Sequence, residues 1–193
     1  MTDSLRIGFV TGATPDKWAR HWRDRRPEPL ELVPVSEEEQ LAGVHDGTLD
    51  MALVRLPVDR DGLHCVRLYD ELQVAVASRE HVLAAADEEV TTADLVDEQL
   101  VRPHASGWTP TAEQLEWPPM SEQEAVETVA AGTGIVVLPM SVARLHQRKD
   151  VVSRVVADLE PTTIALVWRV ERDDAVTQAF VGVTKGRTAN SSR

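Results

Sequence analysis

Residues 129–143 read VAAGTGIVVLPMSVA: the end of an apolar stripe at helical spacing, two glycines one residue apart, four apolar residues, then Leu-Pro and a fresh start. A glycine pair invites a phosphate-loop reading, and the order of elements decides against it. A dinucleotide fingerprint needs a strand, a glycine-rich turn and then a helix, and a P-loop adds Gly-Lys-Ser/Thr. Here a helix precedes Gly132 and Gly134, a strand follows them, and no lysine is present. Gly132 is expected to end the helix in a left-handed conformation, and Gly134 to let the backbone fold straight into the strand Ile135 to Leu138.

Working outward, SEQEAVETVAAG spaces Ser121 and Glu124 as a capping box, with Ala125, Val126, Val129 and Ala130 on one stripe. Downstream, MSVARLHQ reads as a short helix, VVSRVVADL and TTIALVWRV as strands, and DDAVTQAFVGV as a last helix. At the other end LRIGFV is a strand closed by TGATP, where Thr14 is expected to cap a helix whose first residue is Pro15. Trp18 and Trp22 share a face of that helix and are expected to pack it onto a core or a subunit neighbour. LELVPV is a second strand, SEEEQLAGVHDG a helix opened by Ser36 and Glu39 and closed at Gly47, and LDMALVRL a central strand covered on both faces. Strand–helix–strand–helix–strand implies parallel pairing and an α/β layer structure.

The middle of the chain holds two strand-like pieces around Asp70 and Glu71, a short capped helix in TTADLVDE, and a strand in QLVRP. HASGWTPTAEQLEWPP reads as a surface loop in which Thr109 and Pro110 open one helical turn. TKGRTANSSR has no core-forming residue and is expected to fray, so residues 185–193 are assigned to a disordered tail.

Composition narrows the function. A chain of 193 residues with 42% hydrophobic and 27% charged residues buries a real core. Its net charge of −12, with acidic residues spread along the chain, argues against a phosphate-backbone partner; RHWRDRR at 20–26 reads as a solvated helix face. The lone Cys65 can form no internal disulfide, and no segment resembles a signal peptide or a membrane span, so a cytoplasmic setting is expected. The histidines His21, His45, His64, His81, His104 and His146 are scattered, and no nucleophile elbow is present. The expectation is a protein that is not an enzyme and needs no metal or cofactor.

Five stretches in order, EEQLAGVHDGTLDMALVR, YDELQVAVASREHVLA, VTTADLVDEQLV, AVETVAAGTGIVVLPMSVA and TIALVWR, resemble the effector-binding domain of LysR-type transcriptional regulators, over roughly Leu5 to Val183. The resemblance implies a two-lobed type 2 periplasmic-binding-protein-like α/β fold. Each lobe is then a mixed sheet flanked by helices, and two crossing strands, LQVAVAS and TTIALVWR, join them. Lobe I is expected over 1–78 plus 164–184 and lobe II over 79–163. Only Met1 to Ser4 precede the first strand, whereas the family carries a helix-turn-helix before this domain. A stand-alone effector domain without direct DNA binding is therefore expected.

The resemblance, with the rule that ligands bind at strand carboxyl ends and helix N-termini, nominates Thr11, Gly12 and Thr14, Ser36 and Glu37, Met120 and Ser121, and Arg55. Arg102 and His104 are expected to reach the same cleft from the second lobe. Arg55 and Arg102 suit a planar carboxylate fork, which points to an organic or aromatic acid. Glu37 replaces the hydroxyl or small residue common at its position, and an amino acid would reconcile the two. Partners expected are this small-molecule effector and a homodimer or a mixed dimer with a full-length LysR-type regulator, to which the Trp18/Trp22 face would contribute. A transporter-linked solute-binding protein is the remaining alternative, and the absence of a signal peptide weighs against it.

Overall fold

The computed structural model describes residues 4–86, 88–101 and 108–186. Its elements run β1 (Leu5–Val10), α1 (Asp16–Arg23), β2 (Leu30–Val35), α2 (Ala42–Asp46), β3 (Met51–Arg55), β4 (Leu63–Glu71) and β5 (Gln73–Ser78). They continue as β6 (Glu89–Val90), α3 (Glu122–Ala130), β7 (Ile135–Pro139), α4 (Met140–Leu145), β8 (Val151–Val156), β9 (Thr162–Arg169) and α5 (Ala175–Thr184). The chain forms two compact units, one of residues up to Asp70 and from Thr163 onward, the other Glu71 to Thr162. The division falls before β5, not after Ser78 as expected, because β5 is hydrogen-bonded between β7 and β8 and is wholly part of the second sheet.

In the first unit the sheet order is β2-β1-β3-β9-β4. β1 runs parallel to both β2 and β3, and β9 is antiparallel to β3. The apolar runs explain this placement. Met51, Leu53, Ile164, Leu166 and Trp168 face one core with Trp22 of α1 and Phe180 of α5, while Ala52, Val54, Ala165 and Val167 face another with Val44 and Leu49. Alternate residues of one strand go to opposite faces, so only a run apolar at every position can sit mid-sheet with both faces covered.

The second unit repeats the logic with sheet order β6-β8-β5-β7. Val74, Val76, Val136 and Leu138 pack under α3 and α4, and Ala75, Ala77, Ile135 and Val137 pack against Leu83, Leu95 and Leu100. Gly132 takes a positive φ of 94°, as expected for the residue ending the helix, and Gly134 takes one too, at 62°.

Several expectations give way. The stretch after Ser36 is a succession of turns and α2 starts only at Ala42, because the buried Gln40 side chain is tied to the Arg55 main chain and bends the backbone toward β3. Ser36 Oγ still accepts the Glu39 N–H at 3.2 Å. Thr14 does not cap α1: the helix is entered through Pro15 without a side-chain cap. Thr109 and Pro110 open no helical turn. The chain there bends at Thr111 and Ala112 and is tied down by two glutamine side chains, Gln99 Nε2 donating to the Glu113 carbonyl at 2.8 Å and the Leu100 N–H to Gln114 Oε1 at 2.7 Å. Of the expected QLVRP strand, Leu100 forms a parallel bridge with Ile135, and Arg102 and Pro103 lie outside the described residues. Trp22 is fully buried against Phe180, so it is core and offers nothing to a subunit neighbour. Of the expected tail, residues 187–193 lie outside the described residues.

Surface carboxylates are held ionised by local donors. The Thr163 hydroxyl donates to Asp70 at 2.5 Å, the Thr92 hydroxyl and N–H to Asp158 at 2.6 and 2.8 Å, and each lowers its carboxyl below the usual range. Arg148 grips both oxygens of Asp150 and brings it from 3.8 to about 2. A depressed folded pKa means the unfolded chain takes protons first. The stabilisation is therefore complete above the unfolded pKa of about 4 and is lost as pH falls toward about 2. Urea midpoints are expected to hold from pH 7 to 5 and to fall steadily from pH 4 to 2.5; a midpoint unchanged at pH 2.5 would count against these contacts.

Candidate ligand-binding site

Because β2, β1 and β3 are parallel, their carboxyl ends lie along one edge of the sheet and deliver Ser36, Thr11 and Arg55 there. Arg55 is the last residue of β3 and is 3% exposed. Its Nη2 donates to the Thr11 carbonyl at 3.2 Å, and its Nε lies 3.3 Å from Glu37 Oε2. The Glu37 side chain is half exposed, so this pair has one buried and one solvated partner.

Gln40 fixes the arrangement from behind. It accepts the Arg55 N–H at 2.8 Å and donates to the Arg55 carbonyl at 3.2 Å, so one side chain completes the main-chain pairing at the end of β3. A buried amide with both ends satisfied is rigid and costly to move. Nothing in SEEEQLAG marks this glutamine as different from a solvated helix residue, and sequence reasoning missed it.

Thr11, Glu37 and Arg55 are thus brought together, three of the residues nominated from sequence. Gly12 stands next to them at φ 87°, in a turn closed by the Ala13 N–H on the Val10 carbonyl, while Thr14 is exposed. Met120 and Ser121 belong to the second unit, at the start of α3. The Ser121 N–H and hydroxyl both reach Glu124 Oε2, at 2.7 and 2.8 Å, and Ser121 Oγ accepts the Glu124 N–H, so this serine is committed to the capping box. Met120 packs against the core beneath α3. Arg102 and His104 lie outside the described residues.

Chemically, the sheet edge offers a guanidinium whose charge is balanced by a carboxylate and a carbonyl. A guanidinium so placed is oriented for planar recognition, and a ligand anion would have to share it with Glu37. Elsewhere, Cys65 is half-buried beside the second core of the first unit, and His64 lies 3.8 Å from Asp173 with its ring on Trp168. Among the described residues no group of three or more His, Cys, Asp or Glu could hold a metal ion, and no helix is long and apolar enough to cross a membrane.

Known proteins share this architecture. The BenM effector binding domain with its effector benzoate superposes with a TM-score of 0.78 at 20% identity, covering 95% of this chain and 90% of that one. The fold is therefore the type 2 periplasmic-binding-protein-like one. In sequence, the HTH-type transcriptional regulator AlsR of Bacillus subtilis strain 168 is 28% identical over 159 residues, 73% of this chain and 52% of the relative. The Hca operon transcriptional activator HcaR of Escherichia coli K12 is 24% identical over 203 residues, 96% of this chain and 68% of the relative. The chain spans about half the length of the first of these relatives and about two thirds of the second. The model of the LysR substrate binding domain matches residues 2–189, almost end to end, and the chain belongs to that family of ligand-sensing domains, which is not a family of enzymes.

Proposed function

We propose that the chain senses a carboxylate-bearing small molecule, an organic or aromatic acid or an amino acid, at the carboxyl edge of its parallel strands, and that it serves transcriptional regulation in the cytoplasm. The observation that carries the reading is Arg55, a buried guanidinium at a strand end, aimed by the Thr11 carbonyl and Glu37 and locked through Gln40. That the related BenM domain is described with benzoate, itself a carboxylate, supports the ligand class. Acting as a domain of its own, the chain would work without reading DNA directly, consistent with a net charge of −12.

The Arg55–Glu37 pair also favours a second reading. An arginine already balanced by its own protein suits a site that has lost its anion, and the chain would then act through a homodimer or a mixed dimer with a full-length LysR-type regulator. One experiment separates the two: thermal unfolding against a panel of carboxylates, aromatic acids and amino acids. A ligand at about 100 times its dissociation constant adds roughly 2.7 kcal/mol. A hit is expected, and Arg55→Ala is expected to weaken it by about tenfold or more, since a hydrogen bond to a charged group is worth about 1.5–3 kcal/mol. The variant should fold, because the Gln40 bonds are to main chain and Glu37 is free to hydrate. Glu37→Gln identifies the ligand: tighter binding marks a plain acid, weaker binding a ligand with an amine. Undiminished affinity in Arg55→Ala removes that residue from the site, and a flat panel leaves the partner reading.

A further inference from the structure

On the second unit, away from the sheet-edge site, the C-terminal end of β5 and the start of β8 border a depression of about 570 Å³. We propose that it is a binding site for a small organic anion with at least two negative groups, gripped by Arg79 and Lys149 over the hydroxyl of Ser78. The volume is that of a small-molecule site.

The geometry builds such a site from three segments. The Arg79 N–H donates to the Asp150 carbonyl at 2.9 Å, which ties the residue after β5 to the residue before β8 and brings Arg79 and Lys149 to the same depression. Asp150 would be their natural counter-charge, yet both its oxygens are taken by Arg148, at 2.9 and 2.8 Å. Among the described residues neither Arg79 nor Lys149 is in an ion pair. Ser78 is 8% exposed and lines the depression; its Oγ accepts the Glu80 N–H at 3.3 Å, which leaves the hydroxyl proton to donate. A guanidinium, an ammonium and a buried hydroxyl are together a donor set for carboxylate oxygens.

Besides Asp150, which also lines the depression but is neutralised by Arg148, two features oppose the anion and do not cancel the charge. Ala130 and Ala131 also line the depression at the C-terminal end of α3, where the helix presents about half a negative charge. Glu80 adds one exposed carboxylate. Two full positive charges outweigh both, in a chain whose overall charge is −12. His81 contributes no donor: its Nε2 faces Glu98 at 3.1 Å and its Nδ1 accepts the Leu83 N–H at 3.2 Å.

The test is titration of the whole chain with citrate at constant ionic strength, read by the arginine Nε–H resonances and by calorimetry. Saturable binding that moves the Arg79 resonance is expected. Arg79→Gln should weaken it by about tenfold, in line with the worth of one charge-assisted bond, and Arg79→Gln with Lys149→Gln should abolish it. Both positions are exposed, so these variants fold. Arg55→Ala should leave citrate binding intact, which separates this site from the sheet-edge site. A linear response shared by wild type and the double variant would mean ionic screening only and would overturn the proposal, as would citrate binding lost in Arg55→Ala.

Discussion

Trp22→Ala is expected to cost the first unit about 4 kcal/mol, the range for removing a fully buried tryptophan. Trp22 is the largest of the side chains that are wholly enclosed. Its ring meets Phe180 of α5 at 5.7 Å between centroids, the Arg26 guanidinium lies over the same ring at 5.4 Å from its centroid, and its Nε1 donates to the Glu28 carbonyl at 2.8 Å. Alanine would leave a cavity between α1 and α5 and strand that carbonyl in the turn leading to β2. Since the stability of a typical domain is about 5–15 kcal/mol, the unit would be left close to its unfolding threshold. Urea unfolding followed by circular dichroism measures it without relying on indole fluorescence. Trp18→Ala is the comparison: Trp18 is only half-buried and tilted against Tyr69 at 6.4 Å, and its loss should cost less than half as much. Equal costs at the two positions would mean that burial does not rank them, and the account of α1 would fail.

That comparison shows how far the sequence could be read. Trp18 and Trp22 sit at the same helical spacing, and the pattern marks both as facing inward. Which one is enclosed depends on α5, about 160 residues further along, and no local pattern carries that information. The strands were legible for the opposite reason. MALVR in β3 and QVAVAS in β5 are apolar on both faces, and only a mid-sheet position satisfies such a run. Capping boxes divided in the same way. Ser121 with Glu124 opens α3, but Ser36 with Glu39 has equal spacing and opens only a turn, because Gln40 is claimed by the main chain of Arg55. Local hydrogen-bond chemistry nominates a helix start, and a long-range bond from a buried side chain overrules it. At the sheet edge, Arg55 was visible as a charge ending an apolar run. Gln40 was not, since its role exists only where the turn after β2 lies against the end of β3.

Gly134→Ala is expected to cost the second unit about 3 kcal/mol, and the reason separates it from its neighbour in the glycine pair. Both glycines have positive φ, so alanine at either position meets a backbone penalty of about 1–2 kcal/mol. At Gly132 that is all, because a Cβ there has no neighbour within 4 Å. At Gly134 a Cβ would lie 2.1 Å from the carbonyl oxygen of Gln99, a main-chain atom that cannot swing aside. The same carbonyl accepts the Ile135 N–H at 2.8 Å, and the Ile135 carbonyl accepts the Val101 N–H at 2.8 Å. Relieving the clash therefore pulls residues 99–101 off β7, with Leu100 and Val101 buried at 1% and 0% exposure. Displacing packed backbone of this kind adds about 1–3 kcal/mol. The melting temperature should drop by roughly 10 °C for Gly134→Ala and by about half of that for Gly132→Ala, with hydrogen-exchange protection lost first at Val101 and Ile135. Equal losses at both glycines would show that φ alone governs the turn. A larger loss at Gly134 would establish that the pair exists to bring two main chains within hydrogen-bond distance, a reason for glycine that involves no phosphate.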